Sequence, residues 1–372
     1  MHVLLVEIPG NLELRLRAEA GVVAAGHVIV SHPADTDVVL VCGAAGDELR
    51  PVIDRIWDQV PYPKHRSSVS AVADIGAALS VAGTAIADER AQRYAARAVV
   101  NDAEVPDRER SQGHAHSSAT GSKHSDETNE ETQGSDRHEH QHSAVTDAMP
   151  MGEHDGMSMG GPGGYPLAGG ADDRDGLEMD VLHRRLGPIL PSWPAGLVVE
   201  VTLAGDTITA ASAFLLDAAL RRAEREERHV TAATALDQAA QLLALAGWDS
   251  AAARLLRVRD LALTGETQRA QQLLDSLHGR ITRSALLRWS LRGLEVRPGT
   301  TVRAVLLGRL VRAHDALAGR RTEPEPGIGV DDLPPLIIGR DIGSARLVIA
   351  ATRVQDPASA TSTRTTGEHH NA

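Results

Sequence analysis

From Asn101 to Arg174 the signals that specify a folded core stop. The chain there runs through GHAHSSATGSKH, then DRHEHQH, then MPMGEHDGMSMGGPGG, with almost no branched aliphatic side chains. Such a stretch cannot bury enough apolar surface to offset the entropy of ordering it, so it is expected to be a disordered linker. It divides the sequence into an N-terminal part (1–100), the linker (101–174), a second folded part (175–355) and a short disordered tail (356–372). It also holds seven of the 17 His and four of the six Met, where no core constrains them.

The net charge of -12 is mostly local: fifteen Asp and Glu face five Lys and Arg between 101 and 174, leaving only -2 for the rest. The flanks are therefore close to neutral in sequence and show no basic stripe of the kind a phosphate backbone requires, so nucleic acid is not expected as a partner. Only eight residues are aromatic, and the core must be built from Leu, Val, Ile and Ala. A single cysteine, Cys42, excludes an intramolecular disulfide and any four-thiolate iron-sulfur or zinc site made by this chain alone. No charged N-terminal region leads into an apolar core, and no run approaches the ~20 apolar residues of a spanning helix. The expected location is the cytoplasm, or a membrane periphery reached through partners.

In the first flank, Val3-Leu4-Leu5-Val6 and Val38-Val39-Leu40-Val41-Cys42 are continuous apolar runs, the pattern of strands buried on both faces. His27-Val28-Ile29-Val30 reads as another strand, and helical spacing links Leu12, Leu14, Leu16 and Ala20, closing near Gly26. Gly43-Ala44-Ala45-Gly46 turns the Val38 strand into a helix through Leu49, Val52, Ile53, Ile56 and Trp57. This alternation predicts an α/β domain with a small parallel sheet. A strand, glycine turn and helix could cradle an anion, but the spacing fits no dinucleotide fingerprint, and a tight turn without ligand is the expectation. Cys42 is expected to be a small core residue, since no His or basic neighbour adjoins it.

In the second flank, Gly176–Val181 and Leu197–Leu203 read as strands, the latter ending in the turn Ala204-Gly205-Asp206. From Ala211 the chain reads as helical for about a hundred residues. A first helix starts at Phe214, Leu215, Ala218 and Ala219 and runs into the charged stretch Arg221 to Arg228, and a second spans Thr231 to Ala246. Asp249 is placed as the N-cap of a third; Gly265, Gly279, Gly293 and Pro298-Gly299 punctuate the rest, and the last helix covers Val302 to Leu317. An antiparallel beginning followed by a helical bundle predicts an α+β, mainly helical domain.

The stretch DVVLVCGAAGDELRPVIDRIWDQVPYPKH, with Pro51, Trp57-Asp58-Gln59 and Pro61-x-Pro63-Lys64, resembles the small subunit that carries the terminal iron-sulfur cluster in respiratory complex I (NADH:quinone oxidoreductase) and related nickel-iron hydrogenases. That family places a cysteine ligand shortly after the Pro-Lys exit. This chain has Ser67-Ser68-Val69-Ser70-Ala71-Val72 there, so no cluster is expected. In the second flank, GPILPSWPAGLVVEVTLAGDTI and RITRSALLRWSLRGL resemble the quinone-site subunit of the same complexes, akin to the hydrogenase large subunit. The family's hairpin histidines are replaced by Leu190 and Pro194, and its Asp between Trp and Leu by Ser290. Without an imidazole the hairpin loses the positioning group and proton donor that quinone reduction needs. His183 lies nearby but at a different place, and reads as a hydrogen-bonded structural residue rather than a ligand.

Within the central segment His114 and His116, then His138, His140 and His142, have spacings that let two imidazoles reach one borderline ion. His154, Met157 and Met159 add an imidazole and thioethers nearby. The donors suit Ni, Cu or Zn, bound modestly because a flexible chain must be ordered on binding. A hydrophilic spacer without metal explains the same composition. The resemblance implies a cluster-less subunit-like protein with a structural or accessory role, associating with subunits of a complex I-like or hydrogenase-like assembly and without activity of its own; the alternative is a Ni- or Cu-handling accessory protein.

Overall fold

The structure, a computed structural model, describes residues 1–104, 169–172, 178–220 and 228–355. The first flank is a parallel sheet covered by helices. Its elements are β1 (His2–Glu7), α1 (Leu12–Ala24), β2 (Val28–Val30), β3 (Val38–Cys42), α2 (Arg50–Gln59), β4 (His65–Val69), α3 (Ile75–Ala87) and α4 (Glu89–Glu104). The strand order is β2-β1-β3-β4, every pair parallel. Alternation along β3 explains why all five of its residues are buried. Val38, Leu40 and Cys42 pack with Leu14, Ala18 and Val22 of α1 and Ile75, Leu79 and Ala82 of α3, while Val39 and Val41 pack with Leu49 and Ile53 at the α2 side.

The second flank begins with an antiparallel sheet, β5 (Gly169–Asp172), β6 (Glu178–Leu186), β7 (Leu197–Ala204) and β8 (Thr207–Leu215), in that spatial order. The helix expected from Ala211 therefore starts later, because Ala211, Ala213 and Leu215 pair with Val201, Val199 and Leu197 of β7. An alanine-rich stretch suits a helix in isolation, and the ladder begun by β-branched Thr207, Ile208 and Thr209 overrides that preference. The charged stretch Arg221 to Glu227 lies outside the described residues.

The rest is mainly helical: α5 (Arg228–Leu245), α6 (Asp249–Leu263), α7 (Thr267–Arg283), α8 (Ala285–Ser290), α9 (Val302–Leu317), α10 (Pro334–Ile337) and α11 (Ile342–Ala351). Two small ladders join them, β9 (Glu295–Arg297) with β10 (Thr300–Thr301), and β11 (Gly327–Gly329) with β12 (Arg353–Gln355). Asp249 is not a cap. Trp248 holds that position, and Asp249 stands in the first turn, where a carboxylate still complements the helix dipole. Nor does Gly279 end a helix: α7 continues through it, because burial of Leu274, Leu277 and Ile281 outweighs the ~1 kcal/mol a helical glycine costs.

The two flanks are not separated in space. Residues 1–97 and the described residues from 169 onward form one compact unit, to which the last residues of α4 do not belong. Ile8, Leu49 and Val60 of the first flank share a core cluster with Val198 and Leu216 of the second, and Leu16 packs with Ala233 and Leu263. Regular structure also enters the predicted linker at both ends, as α4 reaches Glu104 and β5 pairs backbone to backbone with β6 at Gly169–Asp172. A strand edge needs amides rather than apolar side chains, so a Gly-rich stretch can supply it. No helix of the described residues is long and apolar enough to cross a membrane.

Candidate functional site

The metal-binding candidates His114, His116, His138, His140, His142, His154, Met157 and Met159 all lie outside the described residues. Among the described residues no group of His, Cys, Asp and Glu is arranged to hold an ion. The polar chemistry that is described concentrates instead where the two flanks meet.

Asp237 of α5 is its centre. Its carboxylate, 2% exposed, accepts from Arg15 Nη2 at 2.6 Å, Arg15 Nη1 at 3.2 Å, Arg259 Nη1 at 2.7 Å and Gln241 Nε2 at 2.9 Å. Arg15 projects from α1 and also donates to Glu7 Oε2 at 3.0 Å and Glu19 Oε2 at 2.8 Å. Arg259 of α6 reaches the same Glu19 oxygen at 2.9 Å and turns its Nε to Asp260. Two guanidinium groups and four carboxylates thus tie β1, α1, α5 and α6 together. Burial alone would raise the Asp237 pKa, but Arg15 and Arg259 outweigh it and hold the carboxyl below its ordinary range. Burial would likewise lower the Arg15 pKa, and Asp237, Glu7 and Glu19 together hold it well above its usual value. With its donors and acceptors matched in this way, the cluster serves as a lock rather than as a proton donor or acceptor.

A second joint sits on the glycine turn after β3. Asp217, just past β8, presents its carboxylate to that turn, accepting from Gly46 N–H at 2.8 Å and Glu48 N–H at 3.3 Å. Its own N–H donates to Glu48 Oε2 at 2.5 Å. The anion that an amide-lined turn favours is therefore supplied by the chain itself. A Cβ at Gly46 would collide with Asp217 Oδ1, so only glycine allows the approach. Asp217 adopts φ 49°, in the left-handed region that Asp tolerates better than most residues.

Two of the motifs behind the resemblance, Trp57 to Lys64 and the β6–β7 hairpin, are scaffold in this fold. Lys64 Nζ donates to the Trp57 carbonyl at 2.8 Å, closing the end of α2, and stands 4.3 Å from the Trp57 ring centroid. Val72, near the place of the family's cysteine ligand, is exposed. Cys42 is fully buried, and burial pushes its thiol up to about 12, which fits the inert core residue expected of it. In the β6–β7 hairpin Gly187 has φ 84°, and a Cβ there would meet the Leu197 carbonyl and the Trp193 indole, whose Nε1 donates to that carbonyl at 2.7 Å. Leu190 is exposed on this hairpin, and His183 is exposed on β6 with its Nδ1 3.0 Å from Thr202 Oγ1.

Sequence reasoning missed both joints. Arg259 did carry a signal, standing four residues after Leu255 and three before Ala262 on a face that is otherwise apolar, and Asp237 stands likewise between Ala233 and Ala240. A charge on an apolar stripe demands a partner, though local spacing cannot name one. No family model, no curated protein and no solved structure matches the chain.

Proposed function

We propose that this protein is a non-catalytic accessory component of a complex I-like or hydrogenase-like assembly, in which a small-subunit-like half and a quinone-subunit-like half are carried by one chain. The observation that supports this reading is the intramolecular contact itself. The two flanks resemble subunits that pack against each other in such complexes, and here they share a core at Val198 and Leu216 and a buried ion cluster at Asp237. A persistent contact surface combined with replaced chemical groups suits a part that positions neighbours rather than one that turns over substrate. Fold-level analogy carries the family half of the argument, and the residues carry the loss of chemistry.

The test pairs two measurements on the full chain. Affinity capture from the native host is expected to retain redox subunits, and a quinone reductase assay with an artificial donor is expected to give no turnover. Turnover that depends on His183 or Cys42 would overturn the reading. Capture without redox subunits, together with micromolar Ni or Cu binding abolished by replacing His138, His140 and His142 with Ala, would favour the metal-handling alternative, which rests on the spacing of those imidazoles.

A further inference from the structure

Among the described residues of the second flank, the corner between α7 and α8 carries the largest exposures of any big apolar side chain. Leu286 is 74% and Trp289 72% exposed, three residues apart and so on one face of α8. These side chains are held outward by a firm base, because Leu287 and Leu291 are buried beneath them and Ser284 Oγ caps the helix at Leu287 N–H, 3.2 Å. Around them stand Arg280, Arg283, Arg288 and Arg292, all exposed. Among the described residues none of these four guanidinium groups makes an ion pair or a side-chain hydrogen bond. Asp275, the one acidic residue of α7, faces His314 at 3.4 Å, and the exposed Glu295 lies three residues beyond Arg292. Four cations within thirteen residues are a local excess in flanks that together carry a net charge of only -2.

We infer that this corner is a contact site for an anionic lipid surface, with Trp289 and Leu286 entering the headgroup layer and the arginines pairing with lipid phosphates or carboxylates. Indole rings favour the membrane–water boundary, and each basic side chain near an anionic leaflet strengthens partitioning on the order of fivefold. A nucleic acid would use Trp289 for stacking but leave Leu286 in water. A lipid headgroup layer takes both apolar side chains and the guanidinium groups at once. The inference stands apart from the family reading, since it rests on exposure and charge alone.

The experiment is co-sedimentation of the full chain with phosphatidylcholine vesicles, with and without phosphatidylserine. Binding is expected only to the anionic vesicles, weakened at least tenfold by Arg283→Glu with Arg288→Glu, by Trp289→Ser, and by raised salt. The exposed positions should leave the far-ultraviolet circular dichroism and melting midpoint of each variant unchanged, and a Trp emission blue shift on binding should vanish in Trp289→Phe. Absence of binding to anionic vesicles would contradict the inference. So would equal binding by wild type and Trp289→Ser, or a dimer in solution that Trp289→Ser dissociates, which would assign the corner to a second copy of the chain.

Discussion

Arg15 of α1 and Asp237 of α5 are 222 positions apart in sequence, yet Nη2 of one donates to Oδ2 of the other at 2.6 Å inside the protein. The contact joins a sheet-covering helix to the helical bundle, so the stability of each flank becomes coupled to the other. A buried ion pair adds little net stability over a well-packed apolar pair, but it penalises every arrangement in which one partner is missing.

Replacing Asp237 with Ala takes from Arg15 and Arg259 the one fully buried carboxylate they share and leaves them Glu7, Glu19 and Asp260. The expected cost is about 3–5 kcal/mol, read as a lower urea midpoint in equilibrium unfolding. Loss of under ~1 kcal/mol would mean that the cluster contributes no lock.

The same carboxylate sets a pH dependence. Its folded pKa lies below the unfolded value near 3.8, so the native state binds fewer protons, and its contribution is complete above pH 3.8 and lost as pH falls through the folded pKa. Stability measured from about pH 6 to about pH 2.5 should therefore fall in the acid range. The Asp237→Asn variant, less stable at neutral pH, should show a shallower decline, whereas parallel curves would assign the acid sensitivity to other carboxylates.

At the second joint, Asp217→Ala removes the acceptor for the Gly46 and Glu48 amides, and Gly46→Ala drives the carboxylate away. Each should cost roughly 1–3 kcal/mol. The double variant should cost clearly less than the sum, since both changes break one contact. Strict additivity would show that the two positions act separately.

Cys42 should resist thiol reagents at mildly alkaline pH in the folded protein and react completely in denaturant, because its thiol is buried and pushed up to about 12. Labelling of native protein on the timescale of a free thiol would contradict its place in the core.

Much of the first flank was legible because its strands are continuous apolar runs: Val3 to Val6 and Val38 to Cys42 could be little else, and α1 and α2 follow their apolar spacing. The second flank was legible where a helix ends at a glycine with positive φ, as at Gly247 and Gly265, and illegible where tertiary pairing overrode propensity, as in β8. The joints escaped for a different reason. Arg259 and Asp237 each break an apolar stripe, but the matching of one to the other, and of Asp217 to Gly46, depends on packing that no window of sequence contains.

The central claim is that the two flanks form one unit through these joints. Inserting a specific protease site between residues 105 and 168, cutting the purified protein and measuring the mass of the product by gel filtration with light scattering tests it most directly. The account predicts that the two halves remain together after cleavage at the mass of the uncut chain, and that Asp237→Ala weakens their association. Two separate, folded fragments from the cut wild-type protein would contradict it.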